Sequence, residues 1–196
     1  MKTVMVDLDD TIVAFSEMFV NRTNSIMSSG RFITNERFGI DDFQSYDIID
    51  MFKNKMTNPR VSYKTVYTKI CDEIYADETF YKNPIYTKES LKIFKLLDSF
   101  KETHNLILNT KISTLEMAVS KSNLFKFDKR FNVFDRIILD LEKGSHTPKP
   151  TDYDIMIDDS PYNIEEYLDK NKTGKIYMPL RPWNKQFEGH EQIIIL

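Results

Sequence analysis

Cysteine is almost missing: Cys71 stands alone, so no intrachain disulfide can form and a sulfur-ligated zinc site would lack its other ligands. The expectation is an inert buried thiol in a reducing compartment. Glycine is scarce too, with five in 196 residues. The sequence contains no Gly-x-x-x-x-Gly-Lys-Ser/Thr loop, no Gly-x-Gly-x-x-Gly and no Gly-x-Ser-x-Gly, which removes glycine-cradled nucleotide sites and the serine-hydrolase elbow. Any phosphate must then be held by side chains, strand-end amides or metal. No apolar run approaches about 18 residues, and the first ten positions carry three aspartates where a signal peptide needs an apolar core. A soluble, unexported, cytoplasmic protein with no membrane partner is expected. Charge of one sign is also lacking, since 27 Lys and Arg meet 30 Asp and Glu for a net charge of -3. Long nucleic acid is therefore excluded as the partner. His104, His146 and His190 show no metal-ligand spacing.

What remains is ordinary globular material: 41% hydrophobic, 13% aromatic and 29% charged, enough for one self-sufficient core. Residues 2–7 form a short β-branched run that stops at acids, as a buried strand does at a sheet edge. Over 13–27 the apolar positions follow helical spacing, and Gly30 is placed to end that helix. Residues 31–81 mix aromatics with acids and lack strand alternation, which reads as a helical insertion. Leu91, Phe94 and Leu97 then mark a helix over 88–100 with Thr87 as its N-cap. Strand-like runs at 105–110, 136–140, 153–157 and 175–178 follow, with a helix over 114–125. This alternation predicts a Rossmann-like α/β fold, a mainly parallel sheet with helices on both faces and a small helical cap inserted after the first strand.

The strongest chemical signal is Val6-Asp7-Leu8-Asp9-Asp10-Thr11, three carboxylates in four residues at the carboxyl end of the first strand. In an open α/β sheet, ligands bind at that edge. Alone, the run reads as an acidic turn with an N-capping residue. A second apolar strand ends the same way, in Ile157-Asp158-Asp159-Ser160, and two such clusters would repel by about 4 kcal/mol per close pair at an effective dielectric of 20. A cation between them is required, and oxygen donors without His or Cys favour Mg²⁺.

Asp7-Leu-Asp9-Asp-Thr11, Thr110 at a strand end, a lysine, and Asp158-Asp159 at another strand end occur in the order of the four motifs of the haloacid-dehalogenase-like phosphatases, which the chain resembles over most of its length. Within that superfamily, the position of Phe15, the stretch Thr79-Phe-Tyr-Lys-Asn-Pro84 and the stretch Ile157-Asp-Asp-Ser-Pro-Tyr-Asn163 are similar to those of the 5'(3')-deoxyribonucleotidases. The resemblance implies a catalytic core of residues 1–14 and 82–196 and a cap of 15–81. It implies that Asp7 attacks phosphorus and forms an aspartyl-phosphate, while Asp9 protonates the leaving oxygen and then deprotonates water. Mg²⁺ would be held by Asp7, Asp158 and the backbone carbonyl of Asp9, with Thr110 and a lysine on the phosphoryl oxygens and Asp159 orienting that lysine or a metal-bound water. The partner would be a small phosphorylated substrate, a deoxynucleotide, and a homodimer is compatible with this.

Several residues keep two readings. Lys149, nine positions before Asp158, fits the motif spacing, whereas Lys143 fits the local text. Phe15 either stacks on a nucleobase or belongs to the core. Lys111 either binds substrate phosphate or faces solvent. Phe43 and Tyr46 read as cap core, and Trp183 as a surface-packed ring or a pocket rim. Asp10 replaces the small residue usual in the family and adds negative charge near the site. A phosphatase of nucleic-acid ends would need an open basic groove, and a non-catalytic binding module would keep the fold without turnover.

Overall fold

The computed structural model describes residues 1–31, 36–141 and 149–196. Its centre is a sheet of six strands, all parallel: β1 (Lys2–Val6), β2 (His104–Ile112), β3 (Arg136–Leu141), β4 (Ile155–Ile157), β5 (Lys175–Met178) and β6 (Ile193–Ile195). Their spatial order is β3-β2-β1-β4-β5-β6. The chain thus builds outward from β1 through β2 and β3, then returns to lay β4 on the other flank of β1. That reversal makes the carboxyl ends of β2, β1 and β4 a crevice where ligands bind.

Alternation along β1 sends Val4 and Val6 into the larger apolar cluster, with Leu106, Leu108 and Ile157, and Met5 into a second one with Met156, Ile176 and Met178. The sheet is therefore covered on both faces. The first face carries α4 (Lys88–Phe100) and α5 (Leu115–Phe127), through Ile93, Leu97, Met117 and Leu124; the second carries α6 (Pro161–Lys170), through Ile164 and Tyr167. Thr87 caps α4 as expected, accepting from the Ser90 amide at 3.2 Å, and Thr114 caps α5 through the Met117 amide at 3.1 Å.

Helices α1 (Phe15–Ile26), α2 (Ile48–Lys55) and α3 (Tyr63–Tyr75) lie between β1 and β2, packed through the fully buried Phe19, Phe52, Ile70 and Ile74. After Ile26 one wider turn runs to Arg31, and Gly30 takes the left-handed conformation there, φ 77°. The strand expected over 153–157 is shorter, Ile155–Ile157, although the Asp154 amide still donates to the Thr3 carbonyl at 3.0 Å and its carboxylate accepts from the Thr3 amide at 2.8 Å. Among the described residues no helix is long and apolar enough to cross a membrane.

Candidate active site

The site begins with a turn. Beyond β1 the chain closes one helical turn, with the amides of Ile12 and Val13 both donating to the Leu8 carbonyl at 2.8 and 2.9 Å. Leu8, Ile12 and Val13 are fully buried and anchor it. Asp10 sits at φ 55°, a left-handed conformation that aspartate tolerates. Its carboxylate accepts from the Ser16 amide (2.8 Å) and hydroxyl (2.5 Å), so it satisfies the first turn of α1. The extra charge expected near the site from Asp10 is thus held at a helix start and still bears on the neighbouring acids, since it helps to push Asp159 up.

This turn sets Asp7 level with Asp158: Val6 pairs with Ile157, and the Asp7 amide donates to the Ile157 carbonyl at 2.9 Å. Asp7, Asp158 and Asp159 each offer a carboxylate oxygen, all within 4.8 Å of one another, and all three are buried. Lys149 is buried against them, in close contact with Asp7 Oδ1 and 3.1 Å from Asp158 Oδ2. Asp158 also accepts from Asn163 Nδ2 (3.1 Å) and the Ser160 amide (2.9 Å). Asp159 is held by the Thr11 hydroxyl (2.8 Å) and the Trp183 indole (3.0 Å). It stands within the carboxylate triad, with one oxygen held by Thr11 and the other by Trp183.

Three carboxylates against one ammonium leave the cluster short of positive charge. Burial first, then Asp158 and Asp9, push Asp7 up to about 7 against the pull of Lys149. Burial and the neighbouring Asp10, Asp7 and Asp158 raise Asp159 well above the usual carboxylate range. Burial alone would lower Lys149, but Asp158 and Asp7 outweigh it and keep the ammonium charged. A divalent cation fits this donor set, which is all oxygen and contains no His or Cys.

A prediction about metal-free protein follows from the sign of these shifts. Folded carboxyls titrating above the unfolded value of 3.8 hold protons that the unfolded chain releases, so stability falls as pH rises from about 4 to about 7. The expected loss is on the order of a few kcal/mol. Melting temperature should drop between about pH 5 and pH 7.5 in chelator, and Mg²⁺ should raise it more at the higher pH. A metal response independent of pH would contradict the charge imbalance.

The carboxylate of Asp9 is not part of that triad. Its Oδ2 accepts from Lys121 at 2.6 Å and its Oδ1 from the Tyr81 hydroxyl at 2.5 Å. Lys121, fully buried in α5, also donates to Thr110 Oγ1 (2.7 Å) and to the Lys111 carbonyl (2.6 Å). Thr110 thus lies at the site, fully buried, one hydrogen bond from the lysine that holds Asp9. The Lys111 side chain lines the cavity and pairs with Asp140 at 3.0 Å, which corrects the reading that it faces only solvent. Lys143 lies outside the described residues.

A cavity of about 300 Å³ opens over the acids. Asp7, Asp9, Lys149 and Asp159 give it one kind of lining, and Phe15, Phe43, Tyr46, Tyr67 and Trp183 the other. Phe15 lines the cavity and also packs on Phe19 and Phe80, with ring centres 5.7 and 5.8 Å away, so it belongs to the core and borders the cavity. Phe43 and Tyr46 line the cavity as well, and Trp183, half-buried, packs on Phe43 at 5.6 Å and borders the cavity too. A larger cavity of about 860 Å³, lined by Tyr81, Phe127 and Arg130 among others, contains none of these acids.

Sequence reasoning missed Lys121, Tyr81 and the bond from Trp183 to Asp159. The signal for Lys121 was present: with Met117 and Leu124 it falls on the buried stripe of α5.

No family model matches the sequence, and no curated protein does either. Solved structures do. A haloacid dehalogenase-like hydrolase from Streptococcus pneumoniae is similar at TM-score 0.61 and 12% identity, covering 100% of this chain and 93% of that one. A haloacid dehalogenase-superfamily hydrolase of subfamily IA from Geobacter sulfurreducens gives 0.58 and 13%, covering 92% and 89%. CbbY from Rhodobacter sphaeroides, solved with phosphate, gives 0.56 and 9%, covering 98% and 93%. With its parallel sheet and helices on both faces, the chain shares the fold of the haloacid dehalogenase-like hydrolases.

Proposed function

We propose that the chain is a Mg²⁺-dependent phosphomonoesterase, and more narrowly a 5'(3')-deoxyribonucleotidase that hydrolyses deoxynucleoside monophosphates through an aspartyl-phosphate. The observation that carries the reading is the meeting of Asp7, Asp158, Asp159 and Lys149 at the ends of adjacent strands, with Asp9 and Thr110 beside them. The fold shared with known hydrolases supports it.

Asp7 is the nucleophile. One of its oxygens bonds to phosphorus as the ester bond breaks, and the departing oxygen takes a proton from Asp9. Asp9 then removes a proton from the water that attacks the aspartyl-phosphate, which frees phosphate and restores Asp7. Asp7 and Asp158, with the Asp9 carbonyl, would hold Mg²⁺, which supplies counter-charge for the approach of an anionic nucleophile to a phosphate dianion. Lys149 stays cationic beside Asp7 and serves the phosphoryl oxygens. Thr110 accepts from Lys121, which leaves its own hydrogen to donate to another of them.

The segment 15–81 is the cap over this core, and its aromatic rings favour a planar leaving group over a sugar. Planar rings stack for about 1–3 kcal/mol each, and a cavity of about 300 Å³ is at the small end for ligand sites. A panel of phosphomonoesters assayed with Mg²⁺ and with chelator is the test. Deoxynucleotides should lead, with turnover abolished by chelator. Faster turnover of sugar phosphates would redirect the substrate assignment, and metal-independent turnover would remove the magnesium. Phe15→Ala should lower kcat/KM on deoxynucleotides at least about tenfold more than on an aryl phosphate. Equal losses would leave Phe15 as scaffold.

A further inference from the structure

Asp9 is gripped by two buried groups, and the mechanism above gives neither of them a role at Asp9 itself. Lys121 is fully buried, and an ammonium has three protons. They go to Asp9 Oδ2, Thr110 Oγ1 and the Lys111 carbonyl, at 2.6, 2.7 and 2.6 Å. Tyr81, also fully buried, donates to the other oxygen of Asp9 at 2.5 Å. The Lys121 ammonium lies 5.4 Å from the centre of the Tyr81 ring, so the two donors form one unit. A lysine is a poor choice for a buried position on stability grounds, because an apolar side chain of similar volume often does as well or better. Every group that accepts a hydrogen bond from this lysine lies near the carboxyl end of β1 or β2.

We infer that Lys121 and Tyr81 are positioning residues that fix the Asp9 carboxyl for protonation of the leaving group; the inference rests on the phosphatase reading. An aspartate on a strand-end turn has several staggered rotamers, and misplacing a proton donor by about 1 Å costs on the order of 100-fold in rate. The Asp9 side chain is 28% exposed, against none for Lys121, so the clamp holds it from the buried side and leaves it open towards the cavity it lines. Each carboxyl oxygen has two lone-pair sites. One is taken by Lys121 or Tyr81, and the second can carry the proton to be transferred.

In the step concerned, an Asp7 oxygen forms its bond to phosphorus while the bond from phosphorus to the ester oxygen breaks. The electron pair of the broken bond stays on the ester oxygen, which takes the proton from Asp9. Asp9 becomes a carboxylate between its two donors. Hydrogen bonds to an ionised acceptor are roughly twice as strong as neutral ones, so the clamp binds tighter as the proton leaves. Its effect should therefore be largest for leaving groups that need a proton.

The test compares kcat/KM for an alkyl ester, a deoxynucleoside 5'-monophosphate, with that for p-nitrophenyl phosphate, whose leaving group departs as an anion. This ratio reports steps up to leaving-group departure and excludes the later hydrolysis. Lys121→Met should lose on the order of 100-fold on the alkyl ester, and Tyr81→Phe on the order of 10-fold. Tyr81→Phe should lose no more than about 3-fold on the aryl ester, with inhibition by inorganic phosphate unchanged, whereas Lys121→Met, which also removes the donor to Thr110, should lose on both esters but more on the alkyl one. Because Lys121→Met removes a buried charge and can unfold the chain, Tyr81→Phe, which keeps the ring and its packing, carries the test on its own. Equal losses on both esters, or no loss on either, overturn the positioning role while wild-type turnover keeps the phosphatase reading. A wild-type protein that turns over neither ester overturns both.

Discussion

Asp7→Asn is expected to lose at least about four orders of magnitude of turnover while making the metal-free protein more stable at neutral pH. The first effect follows from nucleophilicity: an amide oxygen does not attack phosphorus, and no second carboxylate shares its position, since Asp158 and Asp159 follow β4, in the connection to α6. The second follows from crowding. Burial and the neighbouring Asp158 and Asp9 raise Asp7 to about 7 even with Lys149 in contact, so in the absence of metal its ionised form works against folding. Asparagine has the same shape, and its carbonyl oxygen can still accept from Lys149. The gain should be about 1–3 kcal/mol near pH 7.5. It should shrink towards pH 5, where the native aspartate is already protonated. Saturating Mg²⁺ should reverse the order of stability, since the wild type gains a ligand that the variant has lost. Retained turnover would end the nucleophile assignment. A variant less stable at neutral pH without metal would end the crowding account.

The parts of this site that lie at strand ends were legible in the sequence. β1 and β4 are apolar runs that stop at acids, and the pairing of adjacent strands turned two sequence motifs into one cluster. The bounds and the Thr87 cap of helix α4 were equally clear, but its face was shifted: Leu91 is exposed, and Ile93 and Leu97 are the buried apolar positions. Legibility fell where a residue's type and its position disagree. Lys121 is a lysine on a buried stripe, so its charge suggested solvent while its spacing with Met117 and Leu124 pointed inward. Trp183 sits in a polar loop, and only the fold brings its indole to Asp159. Tyr81 joins Asp9 across 72 positions, a distance that no local pattern encodes. The strand β6 was missed because it has three residues and pairs only with β5, too short for periodicity to register.

Lys149→Met should destabilise the metal-free protein by about 3–5 kcal/mol, the usual result of removing one partner from a buried ion pair, and should cost on the order of 100-fold or more in turnover. Lys149 is the one cation touching both Asp7 and Asp158 among the described residues. Removing it leaves three buried carboxylates facing one another. Mg²⁺ should recover much of the lost stability, because the ion brings charge to the same oxygens. It should not recover turnover if, as proposed, the ammonium also serves the phosphoryl oxygens, where the metal's charge is already counted in the wild type. The separation of these two recoveries distinguishes a lysine that acts in the reaction from one that only neutralises the cluster. Lys143→Met is the companion measurement, since that lysine competes for the same motif in the sequence. It should leave both stability and turnover within about threefold of wild type, or about ±0.5 kcal/mol. A damaging Lys143→Met beside a silent Lys149→Met would transfer the role, and the contact between Lys149 and Asp7 would then be a resting ion pair displaced when substrate binds.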